Sequence, residues 1–222
     1  MTSRSPTRSA PNAVEIRRKP ARPNLSIRAR VNKLPRSITG NSAPLTEATS
    51  IIAELSPEVP APLVALSLGS NLGDSEAILE SAIAQLAQLL QSLSVASIFR
   101  TQPISKFRQP TFLNTAVTGR THLSPEQLLA CMKKIERILG RTPGVRFGPR
   151  RLDIDLLIYG DLIRDLPELT IPHPELKNRR FYLEPLAEIA PSLTVPPDWT
   201  SVSELLARLG SEQEVTRLKS RS

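Results

Sequence analysis

The stretch RFGPRRLDIDLLIYG, residues 146–160, decides how the rest of the chain is interpreted. It begins as a turn that carries arginines and continues into an apolar strand, with Asp153 and Asp155 two positions apart. Side chains alternate across a strand, so both carboxylates are predicted to point to one face. The apolar residues between and after them then take the opposite face and cover the core.

Two neighbouring carboxylates repel each other and are costly to bury alone, so a positive charge is expected in front of them. Hard divalent cations with oxygen ligands, such as Mg²⁺ at phosphate-transfer sites, meet this requirement. Arg146, Arg150 and Arg151 lie just upstream, and arginine binds phosphate oxygens through a planar fork of donors. Together these residues suggest a nucleoside triphosphate. The alternative from the residues alone is a solvated loop whose arginines pair with the aspartates.

The composition is that of one ordinary globular domain with a basic appendage. The chain has 222 residues, of which 40% are hydrophobic. Its formal net charge is +8, but residues 1–46 hold ten Lys or Arg and one acidic residue, so the remainder carries about −1. The globular part is therefore not expected to bind nucleic acid. The single cysteine, Cys131, indicates a reducing compartment, and no apolar run approaches the ~18 residues of a membrane span.

Residues 1–60 are rich in Ser, Pro, Arg, Asn and Thr, and we expect them to form a disordered basic extension. Such a composition cannot bury enough apolar surface to offset the loss of chain entropy. Three roles stay open for it: an organelle transit peptide, a tail attracted to nucleic acid or membranes, and a solvated extension. The folded domain is predicted over residues 61–210, and residues 211–222 are predicted to be a flexible tail.

Hydrophobic periodicity predicts strands and helices in the order β-α-β-β-α-β. The predicted strands cover residues 63–68, 95–99, 112–118 and the aspartate-bearing stretch, and the predicted helices cover residues 75–93, 124–139, 184–190 and 202–209. This order favours an α+β ferredoxin-like sandwich, in which helices pack on a mostly antiparallel sheet.

Other candidate residues are weaker when each is taken alone. Residues 69–73 could bind phosphate through backbone amides, but they lack the lysine and spacing of a P-loop, so an ordinary strand-to-helix turn is favoured. Phe112 and Asn114 share a strand face and could hold a flat heterocycle; a core aromatic and a strand-end Asn fit equally well. Glu136, with Lys133 three residues earlier, is interpreted as part of a solvated ion pair.

His173 lies between two prolines and is one of only two histidines in the chain. A donor to phosphate or ribose and a plain surface histidine are equally good interpretations. Arg179, Arg180 and Phe181 form a second cluster of basic and aromatic residues. Neither histidine has the partners of a zinc site, and no Gly-x-Ser-x-Gly motif supports a nucleophilic hydrolase.

Taken in order, these segments resemble the 6-hydroxymethyl-7,8-dihydropterin pyrophosphokinase family of folate biosynthesis. The resemblance covers residues 63–193, nearly all of the predicted domain. Its elements are LGSNLGD at 68–74, FRT at 99–101, QPTFLN at 109–114, IE at 135–136 with LGR at 139–141, GPRRLDID at 148–155, PHP at 172–174 and KNRRF at 177–181. Each element is weak alone, whereas the ordered set is specific.

The resemblance implies a transferase that moves pyrophosphate from the co-substrate ATP to the hydroxymethyl group of the pterin and releases AMP. It implies two Mg²⁺ ions held by Asp153 and Asp155. The other implied roles are catalysis by Arg141 and Arg150, ATP binding by Glu136, Arg146, His173 and Arg179, and pterin binding by Gly69, Thr101, Phe112, Asn114 and Phe181. The pterin is expected between the two aromatic rings, with its edge on the carboxamide. The loop between Arg141 and Phe147 is expected to close over ATP.

Two other functions remain as alternatives, a nucleic-acid-binding ferredoxin-like module that uses the basic arm and a catalytically inactive homologue. The first predicts basic residues across the sheet, whereas the globular part is nearly neutral. The second predicts loss of an aspartate or arginine of the set, and none is missing. We expect a stand-alone, cytoplasmic, monomeric kinase that binds neither nucleic acid nor membrane, with organelle targeting by residues 1–46 as the alternative.

Overall fold

The computed structural model describes residues 60–103, 108–142, 148–210 and 213–219. The predicted N-terminal extension, up to residue 59, and Arg146 with its loop therefore lie outside the described residues. The strands are β1 (Leu63–Ser70), β2 (Gln91–Val95), β3 (Ile98–Thr101), β4 (Phe112–Arg120), β5 (Asp153–Tyr159), β6 (Arg164–Leu166), β7 (Leu169–Ile171), β8 (Thr194–Val195), β9 (Thr200–Ser201) and β10 (Val215–Lys219). The helices are α1 (Ser75–Leu86), α2 (Pro125–Ile138), α3 (Arg180–Ile189) and α4 (Val202–Arg208), with a 3₁₀ turn at Leu176–Asn178.

The main sheet confirms the predicted fold class. Its strands lie in the order β10-β3-β4-β1-β5, with β2 also paired to β4, and every pair is antiparallel. α1 connects β1 to β2, which is followed by β3, and α2 connects β4 to β5. This is the β-α-β-β-α-β arrangement expected of a ferredoxin-like sandwich.

Helices cover both faces of the sheet. On one face, α1 and α2 bury residues such as Leu79 and Met132 against Leu66 of β1. On the other, α3 and α4 bury residues such as Leu186 and Leu205. The chain after β5 therefore adds a second helical layer. None of the helices in the described part of the chain has the length and apolar composition needed to cross a membrane.

β5 follows the predicted alternation only in its first half. Ile154 and Leu156 are buried on the side of α1 and α2, so the two aspartates take the opposite face. The register with β1 then shifts, and Leu157 and Ile158 both join the core beneath α3 and α4. An extra residue in one strand bends it and ends the alternation. The aspartates therefore lie just before a bulge, at the open end of the sheet face.

Two predicted boundaries were wrong around the first helix. α1 ends at Leu86 rather than near residue 93, and the single strand predicted over residues 95–99 is divided into β2 and β3. Leu90 follows the end of the helix but is still buried in the same core, so the apolar periodicity continues beyond the helix itself. β2 and β3 then pair with opposite ends of β4.

The prediction of a flexible tail over residues 211–222 was wrong for its central part. Val215–Lys219 forms β10, which pairs with the edge strand β3. The sequence of β10, VTRLK, has no regular alternation of apolar and polar residues, and a register shift interrupts its pairing with β3 between Arg217 and Lys219. The open backbone groups of β3 provide its partner, and that partner cannot be read from the local sequence.

Candidate active site

A cavity of about 450 Å³ opens on the sheet face that carries the two aspartates. Its walls come from β1, β3, β4, β5, the segments preceding β4 and β5, and the start of α3. The lining residues are Ser67, Gly69, Thr101, Gln102, Pro103, Gln109, Phe112, Asn114, Gly148, Arg150, Asp153, Asp155, His173, Arg179, Phe181 and Tyr182. The structure thus brings the predicted site residues to one cavity, except Arg141 and Glu136, which stand behind it, and Arg146, which is not described.

Strand register explains why these residues meet. Gly69 of β1 lies directly between Asn114 of β4 and Asp153 of β5. A Cβ atom on Gly69 would be 2.8 Å from Oδ1 of Asn114, so the glycine leaves room for that carboxamide. One strand therefore separates the predicted pterin-binding side from the predicted metal-binding side.

Asp153 is paired with two arginines. Nη1 of Arg141 donates to its Oδ1 and Nη1 of Arg150 donates to its Oδ2, each at 2.6 Å. Burial lowers the pKa of Arg141, but the carboxylates of Asp153 and Glu136 outweigh it, and the pKa is raised overall. Without a ligand, the charge of Asp153 is thus neutralised by guanidinium groups. The arginine–aspartate pairs considered from the sequence exist, but they are half-buried at the cavity rather than solvated.

Glu136 is buried, with 2% of its surface exposed. The prediction that its ion pair with Lys133 is solvated was therefore wrong. Lys133 does contact Glu136, at 3.0 Å, but the carboxylate also accepts the backbone N–H of Ile154 at 2.8 Å and binds Arg141. The last turn of α2 packs against the start of β5, which turns this carboxylate inward. Glu136 therefore holds Arg141 in place and does not itself line the cavity.

Asp155 has a different partner, the hydroxyl of Tyr182. Oη of Tyr182 donates to Oδ2 of Asp155 at 2.8 Å. Burial and then the charge of Asp153 raise the pKa of Asp155, while the Tyr182 hydrogen bond and His173 oppose that rise. Burial and Asp155 also raise the pKa of Tyr182, so the phenol stays neutral and remains a donor. Tyr182 was not among the residues predicted from sequence, because its role depends on how α3 packs against β5.

His173 is held as a neutral imidazole. Its backbone N–H donates to the carbonyl of Leu157 at 2.9 Å, and its Nδ1 accepts the N–H of Glu175 at 3.2 Å. The ring proton is thereby assigned to Nε2. Burial lowers the pKa of His173, and the opposing charge of Asp155 does not cancel this effect. The side chain can therefore present one N–H donor to a ligand in the cavity.

Arg179 and Phe181 stand at the start of α3, which begins earlier than predicted, at Arg180. The guanidinium of Arg179 lies 5.6 Å from the centre of the Phe181 ring, within the range of a cation–π contact. Arg179 also approaches Glu175, at 3.5 Å. A basic group and an aromatic ring thus enter the cavity from one helix end.

Asn114 is fixed by Thr101 on the neighbouring strand. Nδ2 of Asn114 donates to Oγ1 of Thr101 at 2.7 Å, and only 3% of Asn114 is exposed. Phe112 lies two residues earlier and lines the same cavity. The predicted shared face is confirmed. An orienting bond leaves the remaining amide hydrogen and carbonyl oxygen of Asn114 to meet a ligand.

Asn71 was predicted only as a turn residue, yet it connects three segments. Its Oδ1 accepts the N–H of Arg150 at 2.8 Å, and its own N–H donates to the carbonyl of Arg150 at 3.1 Å. Its Nδ2 donates to Oε1 of Gln109 and to the carbonyl of Pro110, both at 3.1 Å. Asn71 itself is buried, with 4% of its surface exposed. It fixes the backbone that carries Arg150.

The two aspartates suit a cation that also binds phosphate. Among the described residues, no group of three or more His, Cys, Asp or Glu side chains is arranged to hold a metal ion by itself. Mg²⁺ at phosphate-transfer sites needs only one or two carboxylates, because substrate phosphates and waters complete its coordination. Asp153 and Asp155 share a strand face and line an open cavity, and this donor set fits such an ion.

Comparison with known families identifies one match. Residues 65–191 match the family described as 7,8-dihydro-6-hydroxymethylpterin-pyrophosphokinase (HPPK). The matched region runs from β1 to just beyond α3 and contains every residue predicted for the site.

Two bacterial relatives are named as pterin pyrophosphokinases, and one plant relative is named as a folate synthesis protein. The chain is 43% identical over 126 residues to the 2-amino-4-hydroxy-6-hydroxymethyldihydropteridine pyrophosphokinase of Bacillus subtilis, a match that covers 56% of this chain and 75% of the relative. It is 36% identical over 146 residues to the enzyme of the same name from Pseudomonas aeruginosa, covering 65% of this chain and 90% of the relative. A pea protein named "Folate synthesis bifunctional protein, mitochondrial" is 39% identical over 127 residues, covering 57% of this chain and 25% of the pea protein.

Solved structures support the fold. A crystal structure of HPPK-DHPS in complex with substrates aligns with a TM-score of 0.52 at 16% identity, covering 67% of this chain and 43% of that chain. Wild-type Plasmodium falciparum HPPK-DHPS with STZ-DHP aligns with a TM-score of 0.54 at 16% identity, covering 69% and 44%. The chain thus spans less than half of these HPPK-DHPS chains, and at this identity they show the fold alone.

Proposed function

Because the chain belongs to the 7,8-dihydro-6-hydroxymethylpterin pyrophosphokinase family, an ATP-dependent family of folate synthesis, we propose that the cavity between β4, β1, β5 and α3 is its catalytic site. The chain is an ATP-dependent pyrophosphokinase, and the proposal concerns which residues perform the transfer. The observation that carries it is the register in which Gly69 separates Asn114 from Asp153. A pterin on one side and a triphosphate on the other then meet across a single strand.

The pterin is proposed to lie between Phe112 and Phe181. Both rings line the cavity, and aromatic faces bind flat heterocycles by stacking. Asn114 then binds the polar edge of the ring system, with Thr101 keeping the carboxamide oriented. Gln102 lines the same cavity and adds a second amide beside the pterin.

Asp153 and Asp155 are proposed to hold two Mg²⁺ ions together with the phosphates of ATP. Bound there, Mg²⁺ neutralises charge that develops on phosphate oxygens during transfer. The guanidinium groups of Arg141 and Arg150 each form an ion pair with the carboxylate of Asp153, at 2.6 Å. They are expected to exchange this carboxylate for phosphate oxygens when ATP is present, since arginine binds both kinds of oxygen in the same way.

The triphosphate is proposed to contact Arg150, Arg179 and His173. His173 presents the N–H of a neutral imidazole. A neutral donor can bind a phosphate oxygen without repelling a nearby Mg²⁺ ion. Glu136 acts indirectly by holding Arg141. Arg146 is assigned to ATP by the family resemblance and lies outside the described residues.

In the proposed reaction, the hydroxymethyl oxygen of the pterin attacks the β-phosphorus of ATP. An oxygen–phosphorus bond forms, the hydroxyl proton passes to solvent, and the bond breaks between the β-phosphorus and the oxygen that joins it to the α-phosphorus, so AMP departs with that oxygen and the bonding electrons. The residues described here supply position and charge stabilisation rather than a covalent intermediate.

Product analysis tests this proposal. The full chain is incubated with ATP, Mg²⁺ and 6-hydroxymethyl-7,8-dihydropterin, and the nucleotide product is identified by chromatography. AMP in equal amount to pterin diphosphate is the expected result. ADP as the product would contradict pyrophosphoryl transfer and indicate an ordinary kinase.

We also propose that the enzyme is a cytoplasmic monomer. The basic residues 1–46 and the mitochondrial name of the pea relative support import into an organelle as the competing location. Incubating the full chain with isolated mitochondria separates the two, because protease-protected, shortened protein would contradict a cytoplasmic location. Light scattering during size-exclusion chromatography measures the mass, which should match one chain of 24.4 kDa.

A further inference from the structure

We propose that Gln213, in the C-terminal segment formed by residues 213–219, is a positioning residue for the pterin pocket. It caps the N-terminus of α3 from a distant part of the chain and thereby sets the position of Phe181. This inference rests on the proposed function of the cavity. It concerns residues beyond the family match, which ends at residue 191.

The start of α3 has no cap of its own. Its N-cap residue is Arg179, whose side chain makes no capping hydrogen bond to the helix. Backbone N–H groups in the first turn of a helix have no partner within the helix, and Ser, Thr, Asp or Asn normally provides one. Arginine has no acceptor atom, so it cannot do so.

Gln213 supplies the missing acceptor. Its Oε1 accepts the backbone N–H of Arg180, the first residue of α3, at 2.8 Å. Its Nε2 donates to the carbonyl of Asn178, in the preceding turn, at 3.1 Å. Both polar atoms of the amide are thus used on the backbone that flanks Arg179. The guanidinium of Arg180 adds longer contacts to the carbonyls of Leu209 and Gly210, at 3.3 and 3.4 Å.

The rest of the C-terminal segment is anchored to the opposite wall of the cavity. Val215 pairs in register with Thr101 of β3, the residue that orients Asn114. Arg217 then contacts Ser97 at 3.0 Å and Glu188 of α3 at 2.5 Å. Ser97 itself donates to Glu188 at 2.7 Å, so strand, helix and segment share one network.

These contacts connect two walls of one pocket. The segment pairs with β3, which carries Thr101, and caps α3, which carries Phe181. A helix end whose first N–H has a partner frays less, and fraying of this end would move the Phe181 ring directly. Pterin affinity should therefore depend on a glutamine that does not line the cavity.

The test compares Gln213→Ala with Gln127→Ala. Gln127 is a matched control, because its Oε1 also accepts a backbone N–H at a helix N-terminus, from Ser124 at 2.8 Å, but at the start of α2, far along that helix from Glu136. Amide hydrogen exchange at residues 180–183 should accelerate about fivefold in Gln213→Ala, as expected for a lost cap, and stay unchanged in Gln127→Ala. Unchanged exchange in Gln213→Ala would overturn the capping role.

The functional readout is the apparent KM for hydroxymethyldihydropterin, measured with saturating ATP and Mg²⁺. Gln213→Ala should raise it about fivefold, whereas Gln127→Ala should leave it unchanged. Gln213→Glu keeps an acceptor for the Arg180 N–H and should recover most of the loss. Faster exchange with an unchanged KM would overturn the positioning role while retaining the cap. If the parent chain forms no AMP at all, the proposed function fails, and the exchange result still decides whether Gln213 caps α3.

Discussion

The hydroxyl of Tyr182 donates to Oδ2 of Asp155 across 2.8 Å, in a position where 2% of Tyr182 is exposed. The bond joins the helix that carries Phe181 to the strand that carries both aspartates. It gives Asp155 a neutral partner, while Asp153 has two arginines. The two aspartates therefore have different partners before any ligand arrives.

Tyr182→Phe should raise the Mg²⁺ concentration needed for half-maximal activity by about tenfold. Groups that orient a metal ligand commonly contribute a factor of ten or more to metal affinity. The ring packing against His173, with centroids 5.2 Å apart, is retained in this variant. Tyr159→Phe is the matched control, since its hydroxyl donates to the carbonyl of Leu123 at 2.7 Å away from the cavity. Equal Mg²⁺ dependence in both variants would contradict the role of Tyr182.

Asp155→Asn should stabilise the ligand-free protein at neutral pH while removing activity. The folded-state pKa of Asp155 is raised above its ordinary value of 3.8 by burial and by Asp153. Its contribution to stability is therefore fully present below pH 3.8 and is lost as the pH rises through the folded-state pKa. Asparagine does not ionise, so the variant does not lose this stability as the pH rises. Its Tm should exceed that of the parent by about 2–4 °C at pH 7, and the difference in Tm should disappear near pH 4.

Asp153→Asn should change the Tm of the ligand-free protein in the opposite direction. It removes the charge that pairs with Arg141 and Arg150, so both guanidinium groups lose a partner at 2.6 Å. The ligand-free variant should melt below the parent at pH 7. Thermal unfolding followed by circular dichroism measures both variants, and a change of the same sign in both would contradict the assigned surroundings of the two carboxylates.

Gly69→Ala should weaken pterin binding more than it weakens the fold. The added Cβ would meet Oδ1 of Asn114 at 2.8 Å, which is too close for either group to stay in place. The side chain of Asn114 would have to rotate away from Thr101. We expect a pterin KM raised at least tenfold, measured by AMP release. Gly210→Ala is the control, because a Cβ there meets nothing within 4 Å. A normal KM in Gly69→Ala would show that Asn114 does not bind the substrate.

Asn71→Ala should lower kcat by tenfold or more by releasing the backbone of Arg150. Four hydrogen bonds join Asn71 to Arg150, Gln109 and Pro110, and three of them involve its side chain. Asn71→Asp keeps the acceptor for the Arg150 N–H and loses only the donors, so it should retain more activity than the alanine variant. Steady-state kinetics on both variants makes the comparison. Equal losses would indicate that the contact to Arg150 is not the important one.

Local patterns predicted most of the fold. The alternation around Asp153 and the order of strands and helices are signals of short range, and the structure confirms both. Most of the residues named from the ordered motifs also line one cavity, whereas Arg141 and Glu136 stand behind it and Arg146 is not described. These features are determined by neighbours within a few positions, which sequence records directly.

The features that sequence reasoning missed depend on contacts between distant segments. Tyr182 meets Asp155 only because α3 packs against β5, and Glu136 is buried only because α2 ends beside the same strand. The C-terminal strand needed the open edge of β3. In each case one partner looks unremarkable in its own stretch of sequence, since a tyrosine, a helical glutamate or a short, mostly polar tail has many ordinary uses.

The most direct test of the catalytic site is Mg²⁺-dependent AMP formation by Asp155→Ala beside the parent chain, with circular dichroism confirming that the variant is folded. We predict that the parent converts ATP and hydroxymethyldihydropterin to AMP and pterin diphosphate, and that the folded variant shows no transfer above background. Turnover by the variant at the rate of the parent would place the transfer of pyrophosphate elsewhere and contradict the proposed site.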